Sequence, residues 1–344
     1  MAMQAYVLHG SKDLRLEERP RPELGSRDVL IDVKRVGICG SDVHYYLDYR
    51  IGDFVPQRPL VLGHEFSGDV AAVGTDAESF TVGDRVTAEP SIECRRCGYC
   101  RAGRYNLCEN LRFIGTAATI PHIDGAFAEQ LIVPERNCHR LDERLSYGAG
   151  ALVEPLAVGA HGVMRAGPLA GVPVLITGGG TIGQMVLAMA RVVGATDITM
   201  ADIDPHAREF SLGHGAAAAF DPRDEAAAAE QTARGFGAVF EASGSPAALS
   251  FAYRAAARGG RIVQIGTQPA EVTVPANLVM SKELTVIGSL RYAHVYPLVL
   301  DLMTSGRIEV DELITAVYPY VEMQNAMDRA VAKQGIVKVQ VSRE

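Results

Sequence analysis

The sequence predicts an α/β protein in two parts, a β-rich lobe and a lobe of six parallel strands alternating with helices. Three observations carry that reading. The chain has 344 residues, more than one hydrophobic core usually organises. Short runs rich in alternating apolar and polar residues fill positions 4–36. Further on, an apolar run at 172–177 meets Gly178-Gly179-Gly180-Thr181-Ile182-Gly183, which opens an apolar helical stretch over 184–193. A hydrophobic content of 48%, with 35 Gly and 17 Pro, fits an ordinary α/β composition.

Charge narrows the classes. The formal net charge is −8, and no basic run or stripe interrupts it, which argues against nucleic acid or an anionic membrane as partner. No basic segment followed by an apolar core opens the chain, and no window is long and apolar enough to span a bilayer. The expected setting is the reducing cytoplasm, where cysteine clusters hold metal more often than they cross-link.

In the first lobe, strands are expected at 4–8, 14–18 and 29–36. Val36-Gly37-Ile38-Cys39-Gly40-Ser41-Asp42-Val43-His44 follows. Its glycines suggest a turn, and Ser41 or Asp42 is the expected helix cap. Cys39 is a candidate metal ligand, though alone it reads more readily as a small buried residue. Gly63-His64-Glu65 adds an imidazole and a carboxylate side by side. A Cys, a His and a carboxylate leave a fourth zinc position open, the pattern of a catalytic zinc; the plainer reading of His64-Glu65 is a surface pair at a strand start.

Cys94, Cys97, Cys100 and Cys108 make the most specific signal. Four thiolates close a tetrahedron around Zn²⁺, and C-x-x-C spacing brings neighbouring sulfurs to one ion. Such a closed site is structural. Gly98 and Gly103 are expected to supply positive φ, and Arg95, Arg96, Arg101 and Arg104 to offset the thiolate charge. Disulfides or unrelated buried thiols are the alternatives. Cys138 is left over and reads as a packed strand residue.

In the second lobe, Gly178 is expected to make the tight turn, Gly180 to let the backbone approach a pyrophosphate, and Gly183 to let helix and strand pack. The helix N-terminus then faces the phosphates. Asp202 ends the next strand, where its carboxylate would accept from ribose hydroxyls and repel a 2′-phosphate. NAD is therefore expected over NADP, with His206 and Arg208 close enough to soften the preference. Runs at 197–201, 216–220, 238–241, 261–266 and 285–289 complete six strands, with Gly244 and Gly266 at strand ends. From residue 290 the chain is expected to return to the first lobe, through a helix at 296–305, a strand at 314–320, a helix at 321–331 and a strand at 337–341. The expected domains are 1–153 with 291–344, and 154–290.

Gly63-His64-Glu65 with Gly68, the Cys39-Gly40-Ser41-Asp42 turn and the four-cysteine loop together resemble the zinc-containing medium-chain alcohol dehydrogenases. Three further stretches resemble the sorbitol (polyol) dehydrogenase and L-idonate 5-dehydrogenase branch: the one from His44 to Phe54, Gly103-Arg104-Tyr105-Asn106-Leu107-Cys108, and Glu154-Pro155-Leu156-Ala157-Val158. The segment between Phe113 and Gly125 is longer than in sorbitol enzymes and is similar to that of L-idonate 5-dehydrogenases. The resemblance covers essentially the whole chain.

It implies a GroES-like β-rich catalytic domain joined to a six-stranded parallel Rossmann coenzyme domain. It also implies two zinc ions per subunit and NAD bound between the lobes. Cys39, His64 and Glu65 would hold the catalytic zinc, with Glu154 as a further ligand to the ion or its water. The substrate hydroxyl would take the open zinc position, its carbon would pass hydride to nicotinamide, and a proton relay would run from Ser41 through the nicotinamide ribose to His44. Gly178, Gly180, Thr181, Ile182, Gly183, Asp202 and Gly266 would line the coenzyme. Tyr46, His122, Arg291 and Tyr292 would meet the substrate; Arg291, whose fork suits hydroxyls or a carboxylate, reads equally as a surface residue. The implied reaction is L-idonate to 5-keto-gluconate, reversibly. A sorbitol or xylitol dehydrogenase is the alternative, and a non-enzymatic NAD-binding protein the rival class. A homotetramer is expected, or a homodimer.

Overall fold

The computed structural model describes residues 2–344. The chain forms two compact units. One comprises the chain up to Glu154 with Tyr296–Lys333 and Lys338–Glu344; the other is Pro155–Val295 with Gln334–Val337.

The first unit is built on β-structure. Strand Ala2–Gly10 pairs antiparallel with Asp13–Pro20 and with the short Leu60–Val61. The larger sheet has seven strands, in the order Cys138–Arg140, Arg85–Ala88, Glu65–Val73, Asp28–Gly37, Lys338–Ser342 and Ile314–Pro319, with Gln130–Pro134 also on Asp28–Gly37. Strand Lys338–Ser342 therefore lies inside the sheet, antiparallel to Asp28–Gly37 and parallel to Ile314–Pro319. Lys338, Val339, Gln340 and Val341 are all buried, so both faces of this strand are covered. Glu65, Gly37 and Gln340 stand in one row across three neighbouring strands.

The second unit carries a six-stranded all-parallel sheet, in the order Ala218–Phe220, Ile198–Ala201, Val174–Thr177, Phe236–Glu241, Ala256–Gln264 and Thr285–Gly288. Strand order reverses at Val174–Thr177, and such a switch point opens a ligand crevice at the carboxyl ends of the strands. Val174, Leu175 and Ile176 are fully buried, an apolar run suited to a sheet covered on both faces. Two of the helices between strands, Pro205–Gly213 and Glu225–Arg234, start on aspartate caps. Asp204 accepts from the His206 N–H at 3.0 Å, and Asp224 accepts from Ala226 and Ala227. Among the described residues, no helix is long and apolar enough to cross a membrane.

Three details differ from the sequence-based expectation. Residues 291–295 stay in the second unit, and the return to the first begins at Tyr296 rather than 291. The fifth strand of the parallel sheet begins at Ala256 rather than 261, because Phe236 already pairs with Ala256. Residues 334–337 belong to the second unit, where the Thr181 hydroxyl donates to the Val337 carbonyl at 2.5 Å. A four-residue excursion of this kind leaves no compositional mark.

Candidate active site and metal centres

Strand Asp28–Gly37 ends in a glycine, and Cys39 then caps the helix Gly40–Asp48. The expected cap was Ser41 or Asp42. Cys39 takes that place in extended backbone, and Asp42, three residues on, reaches back to accept from the Cys39 N–H at 2.9 Å. The reciprocal carboxylate fixes the turn and leaves the Cys39 side chain at the mouth of the helix. His64 and Glu65 open the adjacent strand, Glu65–Val73, after Gly63 at φ +94°. One ligand atom each from Cys39, His64 and Glu65 lies within 4.8 Å of the others. His64 and Glu65 are buried and Cys39 is half-buried.

The electrostatics of this cluster call for a cation. Burial by itself pushes the His64 imidazole down. Asp42 first, then Cys39 and Glu154, outweigh it and raise the group to about 10. Asp42 is fully buried, and burial raises its own carboxyl. Its Oδ1 stands 3.7 Å from His64 Nδ1, beyond hydrogen-bond reach, and Nδ1 is a buried atom with no hydrogen-bond partner. Imidazole between a carboxylate and a thiol, beside a second carboxylate, is a donor set that fits Zn²⁺ with a position to spare. Glu154 is buried in the long helix Tyr147–Ala166 and acts electrostatically on His64, but it is not one of the three clustered ligands. Ser41 is half-buried and His44 exposed, one helical turn apart.

Sequence reasoning passed over Lys338. Its ammonium is buried and donates to both oxygens of Glu65, at 2.8 and 2.7 Å, and to the Ile38 carbonyl at 3.2 Å. Burial pushes this lysine down, but Glu65 and then Cys39 hold it above its ordinary value. Gly37 makes the pairing sterically feasible: an added Cβ there would stand 2.2 Å from Glu65 Oε2.

The four-cysteine loop is a second, separate cluster. All four sulfurs lie within 4.8 Å of one another. A tetrahedron with Zn–S bonds of about 2.3 Å has edges of about 3.8 Å, so the loop is shaped for one ion. The backbone supplies further donors: Cys94 N–H points at Cys108 Sγ and Cys100 N–H at Cys97 Sγ. Hydrogen bonds from the Arg96 and Cys97 amides bring the Cys94 thiol down to about 6. Positive φ is supplied by Arg95 (+61°) and Gly103 (+72°); Gly98 instead starts the helical turn Gly98–Arg101. Arg95 turns to Glu93 at 3.1 Å, so it does not act on the thiols alone. Cys138 is buried in its strand, and burial raises its thiol.

The proposed substrate contacts are engaged in the protein itself. Tyr46 accepts from Gln324 at 2.6 Å and donates to Asp328 at 3.3 Å. His122 Nε2 accepts from the Gln57 N–H at 3.0 Å, so Nδ1 carries the proton that meets the Thr119 carbonyl at 2.7 Å. Both residues therefore act as fasteners, Tyr46 on helix Met323–Ala332 and His122 on its own loop. That loop is also tied through Thr116 to Tyr45, and Phe113 at its start packs edge-on against the His64 ring at 5.6 Å. In the second unit, Tyr292 is fully buried and Arg291 half-buried at φ +50°.

The coenzyme turn has the expected shape. Gly178 sits at φ +96°, and a Cβ on Gly183 would meet the Gly178 carbonyl at 1.8 Å, so helix and strand close on each other only through glycine. At Gly180 a Cβ would meet nothing within 4 Å, which is the open approach a pyrophosphate needs. Thr181 and Ile182 begin the helix Thr181–Val192. Asp202 accepts from the Gly179 N–H at 2.6 Å and the Asp204 N–H at 2.7 Å, with lone pairs remaining for a diol. Arg208 is committed to the Asp202 carbonyl at 2.8 Å and to Asp221 at 3.5 Å. Gly266 lies at the next strand end, where a Cβ would strike the Gly244 N–H at 2.4 Å. These residues fit a dinucleotide.

Comparison with known proteins agrees with this geometry. Residues 25–143 match the alcohol dehydrogenase GroES-like domain and residues 181–305 the zinc-binding dehydrogenase domain. The chain is 37% identical to the sorbitol dehydrogenase of Bacillus subtilis (strain 168), over 98% of this chain and 97% of that one. Its fold superposes on L-idonate 5-dehydrogenase from Escherichia coli str. K-12 substr. MG1655 with a TM-score of 0.94, at 30% identity and covering 99% and 98% of the two chains. A zinc-binding dehydrogenase of Sinorhizobium meliloti 1021 bound to NADP gives a TM-score of 0.90, at 33% identity and 99% coverage of both. The protein is an enzyme that uses zinc and NAD(P), and the chain belongs to the zinc-dependent medium-chain dehydrogenases, in the branch of the polyol dehydrogenases.

Proposed function

We propose that the protein oxidises a secondary alcohol of an acyclic polyhydroxy substrate to the ketone, reversibly, with NAD⁺ as acceptor. The observation that carries this reading is the cluster of half-buried Cys39 with buried His64 and Glu65, a three-ligand set that differs from the closed four-sulfur loop. Cys39, His64 and Glu65 would hold one zinc, and Cys94, Cys97, Cys100 and Cys108 the other. A zinc ion in the first position supplies Lewis acidity that lowers the pKa of an alcohol hydroxyl, and nicotinamide supplies the hydride acceptor. Asp42 balances the charge of the His64 imidazole. Ser41 would accept the hydroxyl proton while passing its own hydroxyl proton onward, and His44, one turn along the same helix and exposed, would receive a proton at the end of that relay and release one to water. Glu154 adds negative charge that favours a cation at His64. Gly178, Gly180, Thr181, Ile182 and Gly183 would cradle the pyrophosphate at the helix N-terminus, and Asp202 would hold the adenosine ribose.

For the substrate, the favoured reading is an aldonate, L-idonate, oxidised to its 5-keto acid. The segment from Phe113 to Gly125 supports it, because that segment starts against the His64 ring. Arg291 offers a fork suited to a carboxylate. A second reading, sorbitol or xylitol, is favoured by the higher identity to a sorbitol dehydrogenase, 37% against 30%. The test is NAD⁺ reduction by zinc-loaded protein with L-idonate, D-gluconate, sorbitol and xylitol in parallel. Selective turnover of L-idonate supports the first reading; turnover confined to sorbitol or xylitol replaces it with the second. Turnover of none of the four by zinc-loaded protein would overturn the proposal as a whole.

A further inference from the structure

Among the described residues, Lys338 is the one buried ammonium that touches the candidate ligand set. A buried ion pair is weak evidence for stability, since desolvation of the two charges offsets their attraction. Its place beside a metal ligand gives it a different meaning. The three donor directions of the ammonium are spent on Glu65 Oε1, Glu65 Oε2 and the Ile38 carbonyl. The contact is nearly symmetric, at 2.8 and 2.7 Å, so the whole carboxylate faces the lysine. This reach is long in sheet terms. Glu65 stands opposite Gly37, and Gly37 in turn opposite Gln340. The carboxylate crosses over Gly37, at a point where any Cβ would collide with it. Carrying the register onward sets Lys338 across from Cys39.

We infer that Lys338 is a positioning residue that competes with the bound metal for the Glu65 carboxylate, and so sets how strongly Glu65 ligates. The inference rests on the ligand reading proposed above. Each carboxylate oxygen has two lone-pair directions, so one can meet a metal while the other stays on the ammonium. A cation drawing on the same carboxylate keeps part of its charge away from the metal. The metal then stays more electrophilic than a fully committed, fully anionic ligand would leave it.

The test uses full-length protein loaded with Co²⁺, whose visible ligand-field bands report coordination number and geometry. The four-sulfur loop contributes equally to every sample and cancels in difference spectra. In Lys338→Met, Glu65 is released to the metal: the Co²⁺ bands change in position and intensity. Zinc is then retained roughly ten-fold more tightly against a chelator, in line with the size of outer-sphere effects. Lys338→Arg, which keeps the charge and a two-pronged grip, returns both readouts towards wild type. Lys338→Gln, whose amide still donates to Glu65 without a charge, is the second variant should the methionine protein not fold, and carries the same expected direction. Wild-type bands and zinc retention in the methionine and glutamine variants overturn the inference. So does an arginine variant that behaves like methionine. If wild-type protein itself shows no Co²⁺ signal beyond that of the four-sulfur loop, the ligand reading fails along with it.

Discussion

The two metal clusters of the first unit are assembled in opposite ways. The four-cysteine loop draws every ligand from fifteen consecutive residues, with Cys94 and Cys100 half-buried and Cys97 and Cys108 buried. Its helpers are backbone amides of the same loop. The Cys39, His64 and Glu65 cluster draws on the end of one strand and the start of another, with counter-charges from Asp42, Glu154 and Lys338. The loop is a local closure that depends on spacing. The second cluster is a product of the sheet, and its charge balance depends on residues far apart in sequence. A closed, local site suits fixing a fold, whereas a buried site balanced by distant groups can be tuned.

The sharpest way to break this contrast is Cys39→Ala. We expect turnover to fall by roughly three orders of magnitude or more, since the Lewis acid is lost, while the melting curve stays close to wild type. One of the two zinc ions should disappear by elemental analysis. Activity retained in metal-quantified protein would remove Cys39 from the ligand set.

Cys97→Ala should do the reverse. The loop loses its ion, and the melting midpoint drops by about 10 °C, as expected for losing a structural metal from a chain of this size. The rate per folded, zinc-bearing molecule should remain within about two-fold of wild type. Loss of chemistry in a normally stable Cys97→Ala protein would collapse the distinction between the clusters.

A smaller effect is expected at Asp42, which belongs only to the buried cluster. Asp42→Asn removes the charge beside His64 while leaving an acceptor for the Cys39 N–H, and should weaken zinc at that cluster by roughly 10- to 100-fold. Chelator competition would measure it, and zinc in the cysteine loop should be unaffected. The mildest test is thiol labelling after chelation without denaturant. Cys94, whose thiol is brought down to about 6, should react first, Cys100, whose thiol burial raises, more slowly, and Cys138 not until the protein unfolds, because burial raises its thiol and hides it. Early labelling of Cys138 would contradict its buried place in the strand.

The sequence made these clusters legible to different degrees, for the same physical reason. The cysteine loop could be read from spacing because its geometry is local. Cys39, His64 and Glu65 could be read once their residue types were seen together, although no spacing rule links residue 39 to residue 64. The parallel sheet was legible because its strands are continuous apolar runs separated by helices. The cap at Cys39 was misread because an N-terminal serine or aspartate is the commoner solution, and here Asp42 serves from inside the helix. His122 carried chemistry in its residue type, but its hydrogen bonds fasten a loop. Lys338 was invisible because an alternating Val-Lys-Val-Gln-Val strand normally turns its polar side to water. The signal would have been recognising that this strand is interior, so that a lysine within it must have a buried partner.

The position of that strand also bears on how the protein is made. Lys338 follows Glu65 by 273 residues. At ordinary rates of chain elongation, that is roughly a quarter of a minute to a minute of synthesis. During that interval Cys39, His64 and Glu65 already exist, but the ammonium that shares the carboxylate does not, and one interior strand of their sheet is missing. The nascent chain therefore passes through a stage in which the ligand residues lack the cation that partners Glu65 in the finished protein.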